Sequence, residues 1–417
     1  MTTRHVVVML ATSYPRYPGD GVGSFMEPIA KGVAALGHEV HLVAPWHPKI
    51  TRGTSDDGVF FHFYKYAPLP ALNTFGYAAG LRADTELKSG TWAVAPLAIA
   101  AGSFKALRVA QKKHATVVHA HWVIPGGVMG ALARGGRPMV ISLHGSDVFV
   151  AERNGLARRA ARAAFHRAAW ITACSDDLRT RAIALGADRA CIETVPYGVD
   201  TTRFTPSAAV RAAVRDELGI GSRPLVVSAG RLVSKKGFEF LIDAAAALAR
   251  DRPDVAVVIA GSGDLADALT ARAAPANVVR LVGNRSQDEI ARLVAAADVV
   301  AVPSVQDDAG NVDGLPNFAL EALASATPVV ATRAGGLPQA ITDGVTGRLV
   351  EPRDVPSLAA ALASVLADPA RAADMGAAAR ARIVSDFSWP RAVARFVDAY
   401  DRACPKLRGS VSVGVPR

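Results

Sequence analysis

Short apolar runs alternate with Ala- and Arg-rich stretches of helical period along most of the chain, and this alternation restricts the fold more than any other feature. His5–Ala11, Val40–Val43, Thr116–His119, Met139–Leu143, Trp170–Ala173 and Ile192–Val195 read as one set of strands. Leu225–Ala229, Val255–Ala260, Val278–Val282, Val299–Val302 and Val329–Ala331 read as a second. Strands that are apolar throughout, separated by helical stretches, predict parallel sheets with helices on both faces. The expected fold class is therefore α/β, with two doubly wound, Rossmann-like parallel-sheet domains. A length of 417 residues lets each domain bury its own core. Gly, Pro and Thr punctuate the stretch from Pro196-Tyr-Gly198 to Pro224, which marks the boundary between domains 1–200 and 201–387. Open sheets of this kind bind ligands at the carboxyl ends of their strands, so two of them facing each other predict a cleft there. Val393, Phe396, Val397 and Tyr400 give Trp389–Tyr400 an apolar stripe that needs a partner. Periodicity is lost after Gly409, and 405–417 are expected to form a disordered tail.

Cys174, Cys191 and Cys404 are widely spaced and odd in number. With neither zinc spacing nor a disulfide framework, a reducing cytoplasm is expected. The N-terminus has too short an apolar run for a signal peptide and reads as a buried first strand. The most apolar later stretch, Trp92–Ala101, is interrupted by Pro96 and falls short of the ~20 residues that span a bilayer. A soluble or peripheral protein is expected. Residues 1–200 carry 22 Lys and Arg against 14 Asp and Glu, whereas residues 201–417 carry 25 against 23. Basic excess in one half points to a negative surface or substrate on that side. No helix-turn-helix, finger or aromatic-studded sheet motif accompanies it, so nucleic acid is not expected.

The segment Gly310–Glu321 carries the most chemistry. It sets Asp313 and Glu321 on either side of seven residues, between the strands Val299–Val302 and Val329–Ala331. Gly314-Leu315-Pro316-Asn317 reads as a turn that opens a helix, with Pro316 at its first position. A helix N-terminus offers unpaired amides and partial positive charge to an anion. Glu321 lies about one turn further in, at a position from which a carboxylate can reach a ribose hydroxyl. Upstream, Gly230-Arg231-Leu-Val-Ser-Lys235-Lys236-Gly237 follows a strand and precedes a helix. There Arg231 suits phosphate oxygens as a planar fork and Lys236 as a point charge, with Lys235 the ambiguous neighbour. The chain contains no Asp-any-Asp triplet of the kind that holds a divalent ion on a nucleotide diphosphate. Fixed cations and helix amides are then left to stabilise a departing diphosphate, and no metal or other cofactor is expected.

In the first half, Asp20-Gly21-Val22-Gly23 lies between the first strand and the helix around Phe25–Leu36, where glycine lets backbone approach an anion. His144-Gly145-Ser146-Asp147 ends the strand Met139–Leu143. A neutral imidazole there can bond a sugar hydroxyl or steady charge at an anomeric carbon. His119 and His121 alternate along a strand; without a third ligand, packing or acceptor contact is favoured over a metal site. The helix Leu156–Ala168 carries Arg158, Arg159, Arg162, His166 and Arg167, which reads either as a solvated face or as a surface for anionic lipid.

Asp313 to Glu321, with the flanks Ala319–Ala324, Thr327–Val330 and Gly335-Gly336-Leu-Pro338, resembles the donor site of retaining GT-B glycosyltransferases of family four (glycosyl transferases group 1). The segment with Arg231 and Lys236 is similar to that family's phosphate motif, and His144–Asp147 to its His-Gly-(Ser/Thr)-Asp segment. Two departures stand out. Asp313 occupies a position usually held by Glu, and Asp20-Gly21 stands where the family usually has Gly-Gly. The resemblance implies transfer of a hexose or N-acetylhexosamine from a UDP- or GDP-linked donor to an acceptor hydroxyl. It implies that Arg231 and Lys236 hold the diphosphate, Glu321 the ribose, and Asp313 with the 314–317 amides the sugar. The base would sit by Val282, Gly283 and the residues to Arg285, and His144 and Asp147 would lie toward the sugar. It further implies that the last helix, 388–404, crosses back onto the first domain. The acceptor would be a glycan, a lipid-linked sugar or a small metabolite, with peripheral contact at the inner face of the plasma membrane. Two other readings use the same residues: a nucleotide-sugar-binding protein without activity, and an epimerase of the same fold. Arg231, Lys236 and Glu321 together argue against the first.

Overall fold

The computed structural model describes residues 4–405, apart from residues 70, 71, 74, 78–80, 83–85 and 88. The tail expected beyond residue 405 lies outside the described residues. The chain divides into two compact units, Met1–Pro196 with Trp389–Arg417, and Tyr197–Ser388.

Among the described residues, ten strands belong to the first unit: β1 Val6–Leu10, β2 Glu39–Pro45, β3 Ser55–Asp56, β4 Val59–Tyr64, β5 Leu81–Arg82, β6 Glu86–Leu87, β7 Val117–His121, β8 Met139–Leu143, β9 Trp170–Ala173 and β10 Ile192–Thr194. Eight of them form one sheet in the order β10-β9-β8-β7-β1-β2-β4-β3, parallel except for the β3–β4 pair. Residues Val7 to Leu10 have no exposed surface, as expected of strands covered on both faces. The pair β3–β4 and the short pair β5–β6 were not legible as strands. The apolar run around Pro96 lies within the helix Ser89–Lys112, and among the described residues no helix is long and apolar enough to cross a membrane.

The helix Trp389–Ala403 buries its stripe in this unit, where Val393, Phe396, Val397 and Tyr400 join the core of β1, β2 and the helix Met26–Ala35. Gly32 makes that approach possible, since a Cβ there would stand 2.4 Å from Val393 Cγ2. Nε2 of His5 lies 2.9 Å from Asp401, and Nδ1 of His119 lies 2.8 Å from the Tyr400 hydroxyl.

The second unit holds β11 Leu225–Ala229, β12 Ala256–Ala260, β13 Val279–Leu281, β14 Val299–Val302, β15 Val329–Thr332 and β16 Arg348–Val350. All pairings are parallel, in the order β13-β12-β11-β14-β15-β16. From β11 the chain winds outward one way, and from β14 the other. The strand order therefore reverses between β11 and β14, and loops leaving their carboxyl ends flank a crevice suited to ligand binding.

Candidate active site

Two loops meet at that reversal. After β11, Ser234–Lys236 forms a single 3-10 turn that ends on Gly237 at φ 64°. A Cβ on Gly237 would stand 2.1 Å from the carbonyl oxygen of Pro303, so only glycine lets this turn lie against the start of the post-β14 loop. Gly335, at φ 53°, performs the same office for the post-β15 turn, where a Cβ would stand 1.9 Å from the Asp313 carbonyl oxygen.

The result is a buried charge cluster. Nζ of Lys236 lies 2.8 Å and Nζ of Lys235 3.4 Å from the Asp313 carboxylate, and the Ser304 hydroxyl donates to it at 3.1 Å. Burial by itself would push the Asp313 carboxyl up, but Lys236 first and Lys235 next hold it well below the usual carboxylate range. Arg231 leaves the same β11 loop and is exposed. Two ammonium groups therefore face the single Asp313 carboxylate.

Helix Phe238–Asp251 begins directly after Gly237, and helix Asn317–Ala324 directly after Pro316; neither has a side-chain cap. Their first amides are available to an anion. Pro316 stands at the N-cap with φ -65° and ψ 116°, one position earlier than the first helical position expected for it. The residue before the helix must be extended, and proline's fixed φ satisfies that equally well. Asn317 opens the helix, and Gly314 and Leu315 are buried beneath the turn.

Glu321 faces a different environment. It is buried, accepts a hydrogen bond from Gln287, and is pushed up to about 7 by burial, against the favourable charges of Arg203 and Lys236. It is the acidic residue here that exchanges a proton near neutral pH. Val282 continues the pattern of β13 by donating to the Ile259 carbonyl, and Gly283 follows at φ 73° with open space around its Cα. Asp313, Lys236, Glu321 and Gln287 are thus brought to the carboxyl end of one sheet. Ser304, Gln287 and Arg203 were not singled out in the sequence. Ser304 opens the loop that carries Asp313, whereas Gln287 and Arg203 come from elsewhere in the unit, and no spacing ties them to the Asp313–Glu321 segment.

In the first unit the corresponding loops follow β1, β7 and β8. Gly23 has φ 67° and packs on Ser13, which explains a glycine there; Gly21 has open space around it. Asp20 is buried in a bidentate pair with Arg16, at 2.6 and 2.9 Å, and also accepts from the Val22 amide. Its carboxylate therefore serves the loop's own shape. Asp147 is buried and takes the amides of Val123, Gly145 and His144. It thereby fixes the turn that carries His144. His144 is half-buried beside Phe25 and Trp122, with ring centroids 4.8 Å away in each case. Trp122 sits at φ 63°, a strained conformation for a bulky residue. Burial first, and the His119 charge second, push the His144 imidazole down to about 3, so it is neutral at physiological pH.

The basic helix runs from Gly155 to Phe165, with Asn154 capping it. Arg162 donates to the Leu185 carbonyl at 3.0 Å and Arg167 to that of Ala163 at 3.2 Å.

Two doubly wound Rossmann-like units, with a lysine–carboxylate cluster at the strand-order reversal of the second, are the architecture of GT-B glycosyltransferases, and known proteins agree. Glycosyl transferases group 1 matches residues 210–382, and Glycosyltransferase Family 4 matches residues 19–203. The chain belongs to glycosyltransferase family 4. It is 38% identical over 280 residues to a GDP-mannose-dependent alpha-(1-6)-phosphatidylinositol monomannoside mannosyltransferase of Mycolicibacterium smegmatis, covering 66% of this chain and 73% of the relative. It is 31% identical to a glycogen synthase of Mycobacterium tuberculosis, covering 92% of this chain and 91% of the relative. Among solved structures, the Anabaena protein HepE in complex with UDP superimposes with a TM-score of 0.75 at 22% identity, covering 94% of this chain and 98% of that one. The sucrose-phosphate synthase of Thermosynechococcus elongatus gives 0.79 at 20% identity, covering 97% and 100%.

Proposed function

We propose that this glycosyltransferase moves a hexose from a nucleotide diphosphate sugar to an acceptor hydroxyl with retention of anomeric configuration. The observation that carries the reading is the Lys236–Asp313 pair at the reversal of strand order, with two uncapped helix N-termini beside it. In the proposed complex Arg231 and Lys236 take the diphosphate, and the amides around 314–317 take the sugar. Glu321 accepts from the ribose, and the base lies along Val282 and Gly283. As the sugar bond breaks, negative charge grows on the leaving diphosphate, and fixed cations stabilise it without a metal.

Neither carboxylate suits the part of a nucleophile. Asp313 is occupied by two ammonium groups and a hydroxyl, and Glu321 is partly protonated at neutral pH. The acceptor hydroxyl itself is therefore proposed to attack, from the face the leaving group vacates. His144, neutral beside Phe25 and Trp122, is proposed to meet the transferred sugar. GDP-mannose and UDP-glucose are the first donors to try, the former being named for the mycobacterial relative. The basic excess of residues 1–200 fits an acceptor held at an anionic membrane. Incubation with each labelled donor, with and without acceptors, tests the reading. Acceptor-dependent transfer supports it, whereas turnover of the nucleotide sugar without acceptor points to an epimerase.

A further inference from the structure

Behind His144 lies a second histidine that the proposed chemistry does not use. Nδ1 of His121, at the end of β7, is 3.0 Å from Nε2 of His144, and the two rings stack with centroids 5.2 Å apart and planes 11° apart. His121 has no exposed surface, and its own Nε2 has no hydrogen-bond partner among the described residues. The His119 ring covers it at 4.1 Å between centroids. His119 is itself occupied at both nitrogens, by the Tyr400 hydroxyl and by Ser142 Oγ at 2.7 Å.

We propose that His121 is a positioning residue that fixes His144 as the neutral tautomer with its proton on Nδ1. One of the two facing nitrogens must donate and the other accept. If His121 accepted, its proton would sit on Nε2, as a buried N–H without an acceptor. Buried N–H groups left unpaired are rarer than under-used acceptors. The proton of His121 therefore sits on Nδ1 and points at His144, whose Nε2 must be bare. Charging either ring would place an imidazolium inside this buried cluster, and burial disfavours that for both. His144 is then an uncharged ring that carries its proton on Nδ1, its plane set by the hydrogen bond to His121. A donor without net charge suits an oxygen on a sugar that develops positive character, because an imidazolium there would oppose it.

The inference rests on the reading that His144 meets the transferred sugar, but its first test does not depend on activity. Nitrogen-15 NMR of protein labelled in histidine distinguishes the tautomers, with His144 assigned by the signals lost in His144→Phe. The expected spectrum shows Nδ1 protonated and Nε2 bare on both His144 and His121. A protonated Nε2 on His144 overturns the proposal, even if no His121 variant folds.

The second test uses substitutions. Asparagine places an amide N–H near the position of Nδ1, whereas phenylalanine keeps the ring and cannot donate, and aspartate can only accept. His121→Asn should retain kcat within about tenfold, while His121→Phe and His121→Asp should lose a hundredfold or more with KM for donor little changed. His121→Asp should also move the His144 proton to Nε2. Equal activity in the Asn and Phe variants overturns the proposal. Full activity in His144→Ala would instead overturn the underlying reading of His144, leaving the tautomer result standing.

Discussion

Nζ of Lys236 lies 2.8 Å from Oδ2 of Asp313, joining the loop after β11 to the loop after β14 where the strand order of the second unit reverses. A carboxylate thus holds in place the cation that is proposed to meet the diphosphate. The pair is mostly enclosed, with side-chain exposures of 17% and 10%, so removing either partner leaves the other poorly compensated.

Lys236→Ala and Arg231→Ala are expected to cripple transfer while the protein remains folded. A charge-assisted contact at such a site contributes about 1.5–3 kcal/mol, or roughly tenfold to more than a hundredfold in rate. EDTA should leave wild-type turnover largely intact. Steady-state kinetics check both points, and normal rates in the two variants, or full dependence on added manganese or magnesium, would remove the cations from their proposed task.

Asp313→Glu should be tolerated better than Asp313→Asn. The longer acid keeps a charge between Lys235, Lys236 and Ser304, whereas the amide leaves two ammonium groups facing each other. The Asn variant should lose about 3 kcal/mol of stability and recover part of it when nucleoside diphosphate binds. Thermal melts with and without the nucleotide measure this. An Asn variant as stable and active as wild type, beside an inactive Glu variant, would contradict the role given to Asp313.

Glu321, pushed up to about 7, makes two pH dependences of opposite sign. Ribose hydroxyls donate to an ionised carboxylate, so donor affinity should fall below about pH 7, by up to about tenfold per pH unit, and level off above it. Folding runs the other way. A carboxyl with a raised folded pKa contributes stability that is fully present below its unfolded value of 4.5 and lost as pH rises through about 7, a span of about 3 kcal/mol. Glu321→Gln should flatten both profiles. Calorimetry of nucleotide binding at pH 6 in buffers of different ionisation enthalpy should detect a released proton in the wild type and none in the variant; no release in either case would refute the coupling.

Membrane contact through the basic helix has its own test. Binding to sedimented vesicles should rise with anionic lipid, fall with salt and weaken in Arg158→Ser with Arg159→Ser, each arginine near the surface contributing about 1 kcal/mol. Arg162 is best left alone, because it holds the Leu185 carbonyl. Equal recovery in the supernatant with neutral and anionic vesicles would make the helix a solvated face and favour a soluble acceptor.

The sheets were legible because their strands are apolar throughout. Met139–Leu143, Trp170–Ala173, Leu225–Ala229 and Val299–Val302 have the bounds read from the sequence alone. β16 escaped notice because three residues carry no period, and β4 because its aromatic run is neither apolar throughout nor strictly alternating, with His62 and Phe63 both half-buried. The acidic segment and the Lys236 turn stood out because each lies within one loop. Partners across loops did not. Gln287 reaches Glu321 from the start of another helix, and His121 meets His144 only because β7 and β8 are neighbours. The sequence shows the charge of Asp147 but not the three amides that its carboxylate accepts from.

The most direct measurement is the anomeric configuration of the product, read by proton NMR while the enzyme consumes GDP-mannose or UDP-glucose in the presence of an acceptor. Transfer that depends on acceptor, proceeds in EDTA, preserves the donor's anomeric configuration and collapses in Lys236→Ala is the expected result. An inverted product, or transfer undiminished in Lys236→Ala, would contradict it.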